Sequence, residues 1–376
     1  MLATYIRPEY MEGFRCDGRL CGSRCCREWS VAIDPVTYEK YAGMEPKETR
    51  EEICGWISGQ DDKGNFLLQL REDKRCPFLR EDSLCRIQRE HGEEFLSDIC
   101  FSYPRVTYRV GHTAVQALSM SCPVAARLLL AQPGPLRLRA VQVEEKRKGW
   151  QVDMSGRVEQ HGDAWQDLQA AGIWLLQDRR LSLDRCLFSL LCFYGRAEEE
   201  LSAGTPDGLR HLLEAVEARE FSPRQGAKFQ REEHVRLMME LYHGLYGAPS
   251  SEKRLAELLA IRDKCWPSFG QALLGDCRPL FENYLANEFL LRFYPYAYSG
   301  TMERNARIFI LAWKVMEFAL LMMWTQGGMD FDRVLLGIGC MTDRLDHSKD
   351  GMRFLRTFSP ELYGCTAEEF AEKLLQ

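Results

Sequence analysis

A chain of 376 residues that is 45% hydrophobic and 28% charged can bury more than one core, which excludes a disordered or fibrous protein. Its formal net charge of −6, with the signs interspersed, argues against nucleic acid as a partner, because a nucleic-acid binder shows a basic face. No basic-then-apolar leader opens the sequence, and Lys314 and Glu317 interrupt the longest apolar stretch, so a cytoplasmic protein with no membrane partner is expected.

In chain order, the first clear helical pattern is 81–99, with a break at His91-Gly92. Pro104 ends that path, and 105–118 reads as two short strands around Gly111-His112. Ser121 is placed to cap a helix over 122–131, with Pro123 in its first turn. Residues 136–143 alternate like a strand, and the charged run 144–148 reads as a solvated face. From 161 onward the periodicity is helical, with helices expected near 163–178, 181–195, 206–219, 227–246, 251–263, 269–293, 302–325, 329–345 and 366–375. The expected fold is mainly α. A small cysteine-rich metal-binding module with short strands (1–135) is joined by a strand and linker (136–160) to an all-α helical body (161–376).

Cysteine is unevenly distributed. Nine of the 15 lie between residues 16 and 122, and the rest are scattered as Cys186, Cys192, Cys265, Cys277, Cys340 and Cys365. An odd total in a large chain disfavours a secreted disulfide scaffold, and the scattered six suit small hydrophobes in cores. With Cys54 set aside, the candidate metal ligands are Cys16, Cys21, Cys25, Cys26, Cys76, Cys85, Cys100 and Cys122. Zinc takes four thiolates tetrahedrally and iron–sulfur clusters also take four, so spacing leaves an iron–sulfur cluster or zinc undecided. The adjacent Cys25-Cys26 pair is awkward for a single ion, since successive side chains usually diverge. A radical-type Cys-x3-Cys-x2-Cys is not met, because Glu28 stands at the third position. His91 and His112 fall in the same zone but are weaker ligand candidates.

Particular residues carry a family likeness. Arg7-Pro-Glu-Tyr, Cys21-Gly-Ser-Arg-Cys-Cys26, Cys76-Pro-Phe-Leu, Leu84-Cys85-Arg-Ile-Gln88, Gly92-Glu-Glu-Phe-Leu-Ser-Asp-Ile-Cys100, Tyr103-Pro-Arg105, Leu118-Ser-Met-Ser-Cys-Pro123 and Glu282-Asn-Tyr-Leu-Ala-Asn-Glu288 resemble the flagellin lysine-N-methylase (FliB) family. The cysteine part alone also resembles small zinc- or iron-chelating bacterial proteins. The FliB resemblance implies an S-adenosylmethionine-dependent protein-lysine N-methyltransferase acting on flagellin, and it assigns no catalytic residue. Periodicity does not supply this chemistry: Gly337-Ile-Gly339 lacks the third glycine of a dinucleotide loop, and no alternating strand–helix pattern is present. The block Glu282, Asn283, Tyr284 and Asn287 is the candidate cofactor- or substrate-binding element, with Asn283 and Asn287 one helical turn apart. It is expected to face the cysteine module across a shared cleft. The rival expectation is a non-enzymatic zinc- or iron–sulfur-binding, redox-sensing protein.

Overall fold

The computed structural model describes residues 2–375 except 28–30, 146, 148, 205, 224–228, 249, 276, 329, 348–350, 359–361 and 363; Glu28 and Trp29 therefore lie outside the described residues. The fold is mainly α, with two small sheets confined to the first 153 residues. The strands are β1 (Leu2–Pro8), β2 (Ala32–Ile33), β3 (Ile57–Gln60), β4 (Phe66–Leu68), β5 (Arg105–Val110), β6 (Thr113–Leu118), β7 (Leu138–Glu144) and β8 (Val152–Asp153).

The five-stranded sheet has the order β7-β1-β6-β5-β8. The expected hairpin at 105–118 is present as the antiparallel pair β5–β6, turning at Gly111 with φ +57°. β1 was not foreseen. It is paired on both sides, antiparallel to β7 from Leu2↔Glu144 to Pro8↔Leu138 and parallel to β6. The stretch between the two zones thus supplies β7 and β8 to this sheet. The run 144–148 is also not a plain solvated face. Glu145 is buried against Arg109 and accepts from Tyr5 Oη at 2.6 Å, and Arg147 donates to Asp98 Oδ1 at 2.7 Å and Leu96 O at 2.7 Å.

The first seven helices are short: α1 (Gly18–Cys21), α2 (Pro35–Ala42), α3 (Lys47–Cys54), α4 (Arg86–His91), α5 (Asp98–Ser102), α6 (Pro123–Leu130) and α7 (Ser155–Val158). The pattern expected as one helix over 81–99 is divided into α4, a 3-10 turn Glu93–Phe95 and α5, because Gly92 sits at φ +92° and Ser97 caps a new start. Cys122, not Ser121, occupies the N-cap of α6, and the Ser121 hydroxyl meets those of Ser119 and Tyr103 instead.

The body comprises α8 (Ala164–Leu176), α9 (Leu183–Ala203), α10 (Pro206–Glu217), α11 (Arg231–Tyr246), α12 (Glu252–Leu274), α13 (Arg278–Leu291), α14 (Met302–Trp324), α15 (Phe331–His347), α16 (Gly351–Thr357) and a last helix, Ala367–Leu374. The break expected between 263 and 269 is absent: α12 runs through Pro267, and the chain turns only at Gly275 and Cys277, before Pro279 opens α13.

Two cores result. The larger spans the helical body and extends into Tyr10, Met11, Phe14, Val115, Leu118, Met120 and α6. The smaller gathers Val31, Ile33, Tyr41, Met44, Ile53, Leu68, Phe78, Leu79, Ile87 and Leu96. No helix among the described residues is long and apolar enough to cross a membrane.

Candidate metal centre

All eight candidate cysteines line one cavity of about 140 Å³ between the two cores. Cys16 follows the 3-10 turn Glu9–Gly13, and Cys21 ends α1, where its thiol faces Gly18 O at 3.8 Å. Cys25 and Cys26 share a 3-10 turn entered through Ser23 in the left-handed region (φ 56°). That turn sends both thiols the same way, with Sγ atoms 4.0 Å apart. Four thiolates bound tetrahedrally at ~2.3 Å stand roughly 3.8 Å from one another, so the adjacent pair is compatible with a shared centre after all.

The second stretch is tied to the first through main chain. Cys76 N donates to Cys26 O at 2.8 Å, and Arg27 bridges Arg75. Cys85 bridges Leu79 and occupies the N-cap of α4. Gly18 makes the close approach possible: a Cβ there would lie 2.0 Å from Ser83 O and 2.7 Å from Ser23 Oγ. Ser23 Oγ also donates to Ser83 O at 2.7 Å. Cys100 enters from α5 and Cys122 from the start of α6.

Between the thiols the walls are largely apolar, with Phe14, Val31, Tyr41, Phe78, Leu96 and Tyr103 among the lining residues. Burial raises the thiols of Cys16 and Cys76 to about 11 and those of Cys100 and Cys122 to about 12. Cys100 is accessible to water only in the sense that it faces the cavity; the dense protein around it still desolvates the thiol. The hydrogen bond from Cys26 holds Cys25 below its ordinary value, and Cys26 is raised in return. Cys25 is the charge neighbour shared by Cys16, Cys85, Cys100 and Cys122. Among the described residues, no three His, Cys, Asp or Glu side chains converge tightly enough to grip one bare ion. All eight thiols instead share the lining of one cavity. Neither His91, whose ring is tilted against Phe95, nor His112, in the β5–β6 turn, lines it.

The second candidate block is not at a cleft. Glu282, Asn283, Tyr284 and Asn287 are all buried in α13, and none lines the thiol cavity. Glu282 accepts from Arg179 Nε at 3.1 and 2.9 Å, and Tyr284 packs against Trp313. Asn283 Nδ2 donates to Gly134 O at 3.0 Å, and Asn287 Nδ2 donates to Leu118 O at 3.0 Å. The expected meeting of this block with residues 1–135 is real, but it is a buried contact onto the Gly134 and Leu118 carbonyls and the Tyr10 hydroxyl. Sequence reasoning also passed over Arg24, which pairs with Asp343 of α15 beside the Cys25-Cys26 turn.

Residues 170–359, half of the chain, match the model of the FliB lysine N-methylase C-terminal domain. The chain belongs to the FliB lysine N-methylase family. It is 29% identical over 139 residues to the flagellar biosynthetic protein FliU of Salmonella muenchen, covering 36% of this chain and 82% of that protein. It is equally similar to the lysine-N-methylases of Salmonella typhimurium and Salmonella choleraesuis, with 34% of each covered. The alignment thus spans about a third of those two enzymes. No solved structure matches the chain. All eight cavity cysteines lie before residue 170, outside the part matched by the family model.

Proposed function

We propose that this FliB-family protein is a cytoplasmic methyltransferase that moves the methyl group of S-adenosylmethionine to lysine side chains of a protein, with flagellin as the substrate. Its cavity thiols hold an iron–sulfur cluster or zinc. The observation that carries the metal reading is the convergence of eight soft donors, from four stretches of chain, on one cavity at a junction of cores. Eight thiols are enough donors for two four-thiolate zinc sites or for one four-thiolate cluster with spare thiols. When bound, such a group supplies cross-links between these stretches and a redox-active or Lewis-acidic centre.

The chain's own walls provide the rest. A lysine ammonium entering beside Tyr41, Phe78 and Tyr103 meets aromatic faces that attract the cation and a dry surround that lowers its pKa. The ammonium gives up its proton to bulk water as it leaves solvent, and the freed nitrogen lone pair then attacks the methyl carbon. The carbon–sulfur bond breaks with its electron pair going to sulfur, and the methylated nitrogen holds the positive charge until it loses a proton.

Purified protein, incubated with isotopically labelled S-adenosylmethionine and flagellin, should give labelled methyl-lysine by peptide mass spectrometry. Elemental analysis should find iron or zinc. Metal without methyl transfer to flagellin, or to any lysine protein tried, would establish the rival metal-binding or redox-sensing reading.

A further inference from the structure

Fully buried amides are placed at a cost and are kept where both ends are bonded. Asn287 meets that condition. It accepts from Tyr10 Oη at 2.6 Å on its oxygen and donates to Leu118 O at 3.0 Å on its nitrogen. Leu118 ends β6 and opens a corner held by several hydrogen bonds. Ser119 N donates to Pro104 O at 2.8 Å and Cys122 N to Ser119 O at 3.2 Å. The hydroxyls of Ser119 and Ser121 lie 2.8 Å apart, and those of Ser121 and Tyr103 3.0 Å apart. This corner delivers Cys122 and Tyr103 to the cavity wall.

We infer that Asn287 is a positioning residue for the thiol cavity. From the helical body, with Tyr10, it fixes the 118–122 corner and so sets where the Cys122 thiol stands relative to the other seven. This rests on the reading that the thiol cavity is the working centre, and it gives the family-matched body a defined task in building that centre. Asn287 touches neither substrate nor metal in this role.

The experiment is thiol mapping on the purified full chain. N-ethylmaleimide labelling of each cysteine is timed by mass spectrometry in wild type, Asn287→Asp and Tyr10→Phe, beside melting curves. Asn287→Asp removes the donor to Leu118 O and sets a carboxylate against that carbonyl. Cys122 labelling should rise about tenfold relative to Cys76, the factor given by one lost hydrogen bond of ordinary strength. Tyr10→Phe should raise Cys122 labelling in the same direction by less. If Asn287→Asp fails to fold, the Tyr10→Phe pattern decides. Unchanged Cys122 labelling, or an equal rise at all eight thiols with a lowered melting temperature, overturns the inference, since either marks a merely structural amide. No methylase assay enters the comparison, so an inactive protein with Cys122-specific labelling would sink the proposed function alone.

Discussion

Gly18 shows how tightly the thiol stretches are drawn together. An added Cβ would sit 2.0 Å from the Ser83 carbonyl oxygen, a backbone atom with no rotamer to yield. Gly18→Ala should therefore separate α1 from the 80s turn and lower bound metal several-fold, measured by elemental analysis, while α8–α14 keep their helical signal. Cys25→Ser should also lower bound metal, since Cys25 is the shared neighbour of Cys16, Cys85, Cys100 and Cys122. Ser substitution at Cys186, which is buried against Asp178 O and Arg278, should cost ~1–3 kcal/mol of stability and leave metal content intact. At this scale the grouping of the cysteines was legible, because eight soft donors within 107 residues mark one region of the chain, and the fold brings them to one cavity. The amides were legible as special but not in role. Their partners are carbonyls 149 and 169 residues away, and no local pattern encodes such a pairing.

Among the elements, α14 carries a buried charge cluster. Lys314 Nζ donates to Asp184 Oδ1 at 2.5 Å and to Glu317 Oε2 at 2.7 Å, joining α14 to α9. Burial raises Glu317, and Lys314 stays charged through its two carboxylates. Lys314→Met leaves Asp184 and Glu317 without the ammonium they share and should destabilise the protein by ~3–5 kcal/mol in chemical denaturation. His234 on α11 tests the same region by pH. Burial, reinforced by Lys314 and Arg262, pushes it down to about 3, and its Nδ1 lies 3.2 Å from Lys373 O of the last helix. Above pH 6.5 the imidazole is neutral in folded and unfolded chains alike. As pH falls from 6.5 toward 3, only the unfolded chain takes up the proton, so stability is lost. The melting temperature should drop across that window, and His234→Phe should flatten the drop. Helices of the body were legible from 3.6-residue periodicity. Their ends were less so: Pro267 reads as a breaker, yet α12 continues through it.

At the level of the whole molecule, the cavity lies where a small core meets a large one, and on the proposed reading a metal group held there fastens the two. Exhaustive chelation should raise hydrogen exchange across residues 31–96 while α8, α9, α13 and α14 stay protected. Equal protection before and after complete metal removal would show that the cysteines do not hold the cores together. The all-α body was visible in the sequence because each helix declares its own buried face. The five-stranded sheet was not, because β1 finds partners only at 113–115 and 138–144. Long-range pairing of this kind depends on topology, which a window of neighbouring residues does not contain.

That pairing also sets a timetable for biosynthesis. At ~5–20 residues per second, the ribosome needs roughly 7–30 s after Leu2 to supply β7, and roughly 15–60 s to supply Asn287. Residues 16–26, with four of the eight thiols, emerge near the start of that interval. The nascent thiols are thus open to the surrounding solution well before the helical body exists to close over them.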